Sequence, residues 1–266
     1  MTKKYGLLGH PLGHSFSRKF HNERFERLAI DAEYVNFDLP EVGLLREVLL
    51  TESALYGLNV TIPYKQQVMS FLDELDPLAE RIGAVNTIVI RHEVPEGRES
   101  RTPGLWLKGY NTDIIGFRDS ILPMLEEAGI VDRSGQAVGQ QQALILGTGG
   151  ASRAVLVALE DMGIRPVLVS RSEAPGRLTY DQLDAEIMAS HRVIVNCSPV
   201  GMYPHVDESP ALPYDQISSE HVCYDLIYNP AETQFLARAK ANGARTMSGG
   251  AMLEGQALAA YDCWTR

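Results

Sequence analysis

Residues Leu144–Ala154 read LILGTGGASRA, and this stretch decides the fold. The aliphatic run predicts the end of a buried strand, and the residues after Gly150 predict a helix. Small residues between the two let backbone N–H groups approach a pyrophosphate at the helix N-terminus, which is the layout of a dinucleotide site. A tight glycine turn without a ligand is the alternative interpretation, and the flanking strand and helix favour the site.

The next predicted strand ends in Val167–Ser172, which reads VLVSRS and carries no carboxylate. An Asp or Glu at this point binds the ribose 2′-hydroxyl of NAD, whereas an Arg accommodates the 2′-phosphate of NADP. Arg171 lies between Ser170 and Ser172, and its guanidinium can bind a phosphate bidentately. We therefore expect NADP. A solvated surface Arg is the alternative, and Glu173 close by opposes a phosphate.

Short apolar runs alternate with helical patterns along all 266 residues, which predicts an α/β fold with parallel sheet built from βαβ units. Strands are predicted at Lys4–Leu8, Glu33–Asp38, Tyr56–Val60, Val85–Arg91, Leu105–Gly109, Gln142–Leu146, Arg165–Ser170, Val193–Asn196 and Val222–Ile227. Helices are predicted at Ser15–Leu28, Val42–Leu50, Pro63–Phe71, Pro77–Ile82, Asp113–Ala128, Gly150–Met162, Tyr180–Ser190, Thr233–Asn242 and Met252–Trp264.

We expect two domains with a break near Asn111–Gly116 and a cleft between them. The first comprises residues 1–112 with the C-terminal helix 250–266 and is an α/β substrate domain. The second comprises residues 113–249 and is a Rossmann-like, doubly wound parallel sheet that binds NADP.

Charge and composition exclude several classes of protein. The 24 Lys and Arg against 34 Asp and Glu give 24 − 34 = −10, which opposes binding to nucleic acid or to an anionic membrane. No apolar run approaches the ~18 residues of a membrane span, and no signal-peptide pattern opens the chain. The cysteines Cys197, Cys223 and Cys263 lack CxxC spacing. We therefore expect a cytoplasmic protein with reduced thiols and no metal site.

Polar residues cluster where strands of the first domain end, and ligands bind beyond the carboxyl ends of strands in such sheets. Hydroxyls, amides and one Lys–Asp pair suit a small polyhydroxylated acid. Singly, each residue has an alternative: Ser15 or Asp113 caps a helix, Lys65 is solvated, and Asn86 pairs with backbone. Jointly they favour a site made of Ser15, Ser17, Asn59, Thr61, Lys65, Asn86 and Asp113.

The chain resembles the shikimate dehydrogenase family over essentially its whole length. The matching motifs are Gly9-His10-Pro11 with Ser15-x-Ser17, Asn59-Val60-Thr61-Ile62-Pro63-x-Lys65, Gly83-Ala84-Val85-Asn86-Thr87, Gly109-x-Asn111-Thr112-Asp113, Gly147-x-Gly149-Gly150-Ala151, Asn196-x-x-Pro199-x-Gly201-Met202, Asp225-x-x-Tyr228, and Gly249 with Met252-Leu253 and Gln256.

This resemblance implies reversible NADPH-dependent reduction of 3-dehydroshikimate to shikimate, a step of chorismate and aromatic amino acid biosynthesis, in a monomer or homodimer. It implies that Lys65 and Asp113 form the catalytic pair. The implied substrate residues are Ser15, Ser17, Asn59, Thr61, Lys65, Asn86, Asp113, Tyr228 and Gln256. The implied cofactor residues are Gly147, Thr148, Gly149, Gly150, Ala151, Ser170, Arg171, Ser172, Leu226 and Gly249.

Two departures and two alternatives accompany the resemblance. The family's NADP signature reads Asn-Arg-Thr with a second Arg, whereas here Pro175 stands at that position and Arg177 follows. One alternative is a quinate/shikimate dehydrogenase with relaxed substrate and NAD use, which Arg171 and the paired serines oppose. The other is a non-catalytic NADP-binding sensor, which Lys65 and Asp113 oppose. The Glu93–Pro103 segment is longer than the family pattern leads us to expect.

Overall fold

A computed structural model describes residues 2–13 and 15–266. The chain forms two compact units, Met1–Thr112 with Ala257–Arg266, and Asp113–Gln256. Within the described residues, no helix has both the length and the apolar character needed to cross a lipid bilayer.

The first unit contains a mixed six-stranded sheet. Its elements are β1 (Lys3–Gly9), α1 (Phe16–Arg27), β2 (Ala32–Asp38), α2 (Leu45–Thr51), β3 (Leu55–Val60), β4 (Glu74–Leu75), α3 (Pro77–Ile82), β5 (Thr87–Arg91) and β6 (Trp106–Tyr110). The strand order is β2-β1-β3-β5-β6-β4. The β1, β2 and β3 strands are parallel, and β5 runs antiparallel to β3 and β6. The two strands predicted at Val85–Arg91 and Leu105–Gly109 therefore form an antiparallel hairpin.

The helix predicted at Pro63–Phe71 is wrong, because only a 3₁₀ segment forms, at Gln67–Phe71. The carbonyl of Lys65 accepts from the backbone N–H of Val85 at 2.7 Å, and is thereby withdrawn from an α-helical ladder. The Tyr64 hydroxyl donates to the Leu39 carbonyl at 2.5 Å, which ties this segment to the core. Tertiary contacts therefore override the local helical pattern.

The second unit contains a six-stranded sheet in which every pairing is parallel. Its elements are α4 (Asp113–Glu127), β7 (Gln141–Leu146), α5 (Gly150–Asp161), β8 (Ile164–Ser170), β9 (Arg177–Thr179), α6 (Ala185–Ser190), β10 (Val193–Asn196), β11 (Val222–Asp225), α7 (Gln234–Ala241), β12 (Arg245–Ser248) and the first turns of α8 (Gly250–Thr265). The order β12-β11-β10-β7-β8-β9 confirms the predicted Rossmann-like class.

Three differences from the sequence-based expectations concern the second unit. The predicted helix Tyr180–Ser190 is split, because Asp184 caps a separate α6 by accepting from Ile187 N–H at 2.9 Å. The edge strands β9 and β12, of three and four residues, are too short to show the alternation that would have revealed them. The first turns of α8, up to Gln256, group with this unit, because α8 packs there against α4, whereas we expected all of 250–266 in the first domain.

An aromatic cluster holds the end of α8 in the first unit. The Trp264 ring stacks on Tyr5 with centroids 4.8 Å apart, and its Nε1 donates to the Ile88 carbonyl at 3.0 Å. His21 lies 5.4 Å from the same ring and is fully buried. Burial lowers the pKa of His21 to about 3, so its ring is neutral at pH 7 and packs as an aromatic group. A side chain at Gly57 would place its Cβ 2.3 Å from the indole.

We expect Gly57→Ala to lower the free energy of unfolding of the first unit by about 1–3 kcal/mol, as overpacking of a close-fitted core does. Both tryptophans, Trp106 and Trp264, belong to this unit, so chemical unfolding followed by tryptophan fluorescence reports on it. Gly43→Ala is the matched control, because a Cβ there meets no atom within 4 Å. Equal effects of the two substitutions would contradict the prediction.

Candidate functional site

The glycine turn after β7 leaves the N-terminus of α5 open. Gly147 has φ 105°, which favours glycine, and its N–H donates to the Val169 carbonyl at 2.9 Å. Gly149 caps α5 without a side-chain hydrogen bond, and a Cβ on Gly149 or Gly150 would meet no atom within 4 Å. The Ser152 hydroxyl donates to the Gly149 carbonyl at 2.6 Å and braces the turn. Exposed backbone N–H groups at a helix N-terminus fit a pyrophosphate.

This turn also lies where the strand order of the second sheet reverses. The β7 strand pairs with β8 on one side and with β10 on the other. Dinucleotides bind beyond the carboxyl ends of strands at such a switch point. The open turn and the sheet topology therefore indicate the same cofactor position.

Exposed positive charge lies at the end of β8, next along the sheet. Arg171 follows the last residue of β8. The residues on either side of it are joined by a hydrogen bond, which the Ser170 hydroxyl donates to the Ser172 carbonyl at 2.5 Å. Burial raises the pKa of Tyr180, and the charge of Arg171 lowers it, so the guanidinium lies near that ring. Arg177 begins β9 in register with Leu168 and is also exposed. Two exposed guanidinium groups at this edge fit a phosphate.

Asp225 is a fully buried carboxylate that joins three segments at the carboxyl end of the same sheet. One oxygen, Oδ1, accepts from Asn196 Nδ2 at 3.0 Å and from Ile227 N–H at 3.0 Å. The other, Oδ2, accepts from the Thr233 hydroxyl at 2.6 Å. The end of β10, the segment after β11 and the cap of α7 are thereby tied together. Sequence analysis noted Asp225 only within a motif and missed this role.

Leu226 and Gly249, both implied cofactor residues, are in direct backbone contact. A Cβ at Gly249 would lie 2.1 Å from the Leu226 carbonyl oxygen, so only glycine fits. The Gly249 N–H donates to the Ile227 carbonyl at 3.0 Å. Tyr228 follows in the same segment with 45% of its surface exposed. Its side chain is therefore accessible to a ligand.

Two of the implied substrate residues of the first unit, Asn59 and Asn86, belong to a buried polar network. Asn86 Oδ1 accepts from Thr112 N–H at 2.7 Å and from the Thr87 hydroxyl at 3.0 Å. Asn59 Oδ1 accepts from the Tyr34 hydroxyl at 2.8 Å, and Asn59 Nδ2 donates to Thr87 at 3.3 Å. Hydrogen bonds on both sides fix the orientation of each amide.

Tyr34 joins this network although sequence analysis did not select it. Burial raises the pKa of its hydroxyl well above the usual value, and a hydrogen bond from Ser17 opposes that shift. The residue lies in the middle of β2, where the pattern indicates only a core position. Thr87, by contrast, stands in the quoted motif around Asn86 and was detectable.

The two serines of α1 have different surroundings. Ser15 is the N-cap of α1, and its Oγ accepts from Arg18 N–H at 3.2 Å, so the capping role considered from sequence is present. Ser17 is buried, with 9% exposure, and bonds to Tyr34. Capping does not exclude ligand binding, because a serine oxygen has a second lone pair and its O–H remains available.

The remaining implied residues divide between the units. Thr61 and Lys65 follow β3 in the first unit and are half-buried. Asp113, with 5% exposure, is the first residue of α4, and Gln256, with 8%, lies on α8 within the second unit. Across residues 2–13 and 15–266, no three His, Cys, Asp or Glu side chains are grouped so as to hold a metal ion.

Asp225 should make the stability of the chain depend on pH. Burial raises its pKa from 3.8 to about 6, against opposing hydrogen bonds from Thr233, Ile227 and Asn196. The native state therefore holds this proton more tightly than the unfolded chain. The stabilisation is complete below about pH 4 and is lost as the pH rises through 6, by up to about 3 kcal/mol at ~1.4 kcal/mol per pKa unit.

Asp225→Asn removes this titration, so the stability of the wild type relative to the variant should fall by about 2 kcal/mol between pH 4.5 and 7.5, since part of the stabilisation is already lost at pH 4.5. Urea unfolding followed by circular dichroism at both pH values measures the difference. Asp207→Asn is the control, because Asp207 is exposed. A wild type and an Asp225→Asn variant with parallel pH dependence would contradict the expectation.

Comparison with known proteins agrees with this geometry. A family model described as the shikimate dehydrogenase substrate binding domain matches residues 7–88. A curated shikimate dehydrogenase (NADP(+)) of Desulforamulus reducens is 37% identical over 283 residues, covering 99% of this chain and 90% of the relative.

Solved structures of related dehydrogenases are also similar to this chain over nearly its whole length. Shikimate 5-dehydrogenase from Thermus thermophilus, in complex with NADP(H) and shikimate, has a TM-score of 0.77 at 33% identity and covers 99% of this chain and 93% of its own. Quinate dehydrogenase from Corynebacterium glutamicum, in complex with NAD, has a TM-score of 0.81 at 26% identity, with coverage of 99% and 94%. Because the identity to curated relatives extends over nearly its whole length, the chain belongs to the shikimate dehydrogenase family.

Proposed function

We propose that this chain is an NADP-dependent shikimate dehydrogenase that reversibly reduces 3-dehydroshikimate to shikimate in the biosynthesis of chorismate and the aromatic amino acids. The observation that carries the proposal is the open glycine turn at α5 followed by Arg171 at the end of β8. Relatives of similar length are named shikimate dehydrogenase (NADP(+)), and a structural neighbour binds NADP(H) and shikimate.

The second unit is the proposed cofactor domain. The backbone of Gly147–Ala151 binds the pyrophosphate, and Ser170, Arg171 and Ser172 bind the 2′-phosphate. Leu226 and Gly249 contact the cofactor from the neighbouring connections. When bound, the nicotinamide supplies the hydride for reduction and accepts it in oxidation.

Lys65 and Asp113 are the proposed catalytic pair. Hydride arriving at a carbonyl carbon leaves negative charge on the oxygen, and the ammonium of Lys65 stabilises that charge and donates the proton. In oxidation, neutral Lys65 accepts the proton from the substrate hydroxyl. Asp113 orients the Lys65 head group and accepts a hydrogen bond from a second substrate hydroxyl.

The remaining polar residues bind the substrate in this proposal. Ser15 and Ser17 donate to the carboxylate, where partial positive charge at the N-terminus of α1 assists. The hydroxyl groups of the ring are bound by Asn59, Thr61, Asn86, Tyr228 and Gln256. The amides of Asn59 and Asn86 are oriented in advance by Tyr34, Thr87 and Thr112, which reduces the entropy lost on binding.

The partner and location of the protein follow from the same proposal. The ligands are small molecules, and the chain works in the cytoplasm as a monomer or homodimer. Its net charge of −10 disfavours nucleic acid and anionic membranes as partners.

The decisive assay follows the nicotinamide absorbance with shikimate or quinate as substrate and NADP⁺ or NAD⁺ as cofactor. We expect the highest kcat/KM with shikimate and NADP⁺. Comparable values with quinate and NAD⁺ would favour the quinate/shikimate dehydrogenase alternative. Binding of NADP⁺ without turnover of either substrate would favour a non-catalytic sensor.

We expect Lys65→Ala to lower kcat by roughly 10²–10⁴, the range for loss of a positioned acid/base, with a smaller change in KM for shikimate. Steady-state kinetics measures both quantities. Lys240→Ala, at an exposed lysine of α7, serves as the control and should have no effect. A kcat within a few-fold of the wild type would exclude Lys65 as the proton carrier.

Arg171→Ala should raise KM for NADP⁺ by about 10–150-fold, because a charged hydrogen bond contributes ~1.5–3 kcal/mol. The NAD⁺ kinetics should stay nearly unchanged, because the 2′-phosphate is the only part of the cofactor that the guanidinium contacts. Arg165→Ala, at an exposed residue of β8, is the matched control. Equal losses with both cofactors would show that Arg171 acts through folding.

Replacing Ser15 or Ser17 by Ala should raise KM for shikimate with a smaller loss of kcat than Lys65→Ala causes. Ser15→Ala should also lower stability by about 1 kcal/mol through the lost cap. The two losses of affinity should be non-additive, because both residues bind one carboxylate. Asp184→Ala removes a cap elsewhere and should lower stability alone. A double variant with normal KM and a lower Tm would leave only the capping role.

A further inference from the structure

The helices α4 and α8 touch backbone to backbone at one point of the second unit. A Cβ on Gly116 of α4 would lie 2.4 Å from the Met252 carbonyl oxygen and 2.9 Å from the Gln256 nitrogen of α8. A Cβ on Gly255 would lie 3.2 Å from the Gly116 Cα. Any side chain at Gly116 would therefore displace the backbone of α8.

A hydrogen-bonded bridge holds the same crossing independently. The Ser120 hydroxyl oxygen lies 2.9 Å from the Phe117 carbonyl oxygen and shares a 2.7 Å hydrogen bond with the Tyr224 hydroxyl. The backbone N–H of Met252 lies close enough to the Tyr224 hydroxyl to lower its pKa. That N–H belongs to the first turn of α8 and has no partner within its own helix. Tyr224 thus links β11 to both helices.

The Tyr224 side chain is closely packed on all sides. It is fully buried, and its ring packs edge-on against Phe117 with centroids 5.2 Å apart. Burial raises the pKa of its hydroxyl to about 12, so the group keeps its proton under all working conditions. The hydroxyl therefore keeps its hydrogen-bonding capacity, and the packing of the ring fixes its place.

These two contacts set where Gln256 lies relative to Asp113. Gly116 is three residues after Asp113, so both lie on one face of α4. Gln256 lies where Gly116 meets α8, and its Nε2 donates back to the Leu253 carbonyl at 2.9 Å, which orients the amide. The position of the Gln256 amide beside the start of α4 therefore depends on the crossing.

We propose that Gly116 and the Tyr224 hydroxyl are positioning residues for shikimate binding, which act by holding Gln256 at its distance from Asp113. The inference rests on the proposed function, in which both of those side chains contact the substrate. Neither Gly116 nor Tyr224 touches the substrate in this proposal. Their effect passes through Gln256.

A double-mutant cycle with Gln256→Ala tests the proposal. Tyr224→Phe should raise KM for shikimate by about 3–10-fold, the range for one hydrogen bond. Gly116→Ala should lower kcat/KM by about 10–100-fold, because small displacements of a binding group are costly. In the Gln256→Ala background each effect should shrink to less than about twofold.

Matched controls separate positioning from general loss of structure. Tyr214→Phe removes the hydroxyl of another buried tyrosine of this unit, which donates to the Pro210 carbonyl at 3.0 Å, and should leave KM unchanged. Gly43→Ala is the corresponding control for Gly116→Ala, because a Cβ on Gly43 meets no atom within 4 Å. If Gly116→Ala does not fold, Tyr224→Phe still decides, because the ring remains in place.

The outcomes distinguish the two proposals. Equal fold-losses with and without the Gln256 side chain would overturn the positioning role, since a structural defect acts independently of that side chain. A wild-type chain that does not oxidise shikimate with NADP⁺ would overturn the proposed function and this inference with it.

Discussion

The hydrogen bonds to the buried carboxylate of Asp225 organise the functional end of the second sheet. Three donors from separate segments converge on it, namely Asn196, Ile227 and Thr233. Burying a charge is unfavourable unless it is well paired, and the raised pKa of Asp225 reflects that burial. An apolar side chain in place of Asp225 would leave those three donors without an acceptor, which explains why a carboxylate occupies this buried position. The segment with Leu226 and Tyr228 owes its position to this group.

In the first unit, neutral buried amides rather than a carboxylate hold the segments of the site in place. Asn86 pairs with Thr87 and Thr112, and Asn59 pairs with Tyr34 and Thr87. Such a network orders the polar groups before any ligand arrives, which reduces the entropy cost of binding. It also makes the site rigid, because every member is held by at least one other.

Close contacts between backbone segments, which only glycine permits, position two parts of the second unit. Gly249 lies against the Leu226 carbonyl, and Gly116 lies against α8. Gly147 instead needs its positive φ, and Gly149 and Gly150 leave space for a ligand. Glycines in one chain thus serve three physical roles, which only the three-dimensional surroundings distinguish.

The sequence predicted most of this protein where the signal was local. The turn of Gly147–Ala151, the strand before it, the helix after it and Arg171 at the next strand end follow from periodicity and spacing. The helix predicted at Pro63–Phe71 failed because Val85 takes the Lys65 carbonyl, a contact between residues far apart in the chain. The edge strands β9 and β12 were missed because three and four residues are too few to establish a period-two pattern.

By itself, the sequence determined the α/β class, the dinucleotide turn and the set of polar residue types, because these depend on neighbours in the chain. Tertiary structure alone decided which buried groups orient them. Tyr34 and Tyr224 read as ordinary core residues, yet their hydroxyls bond to Asn59 and to Ser120. The reason is physical: a hydrogen bond between distant segments depends on distance and direction in space, and neither is encoded in the spacing of residues along the chain.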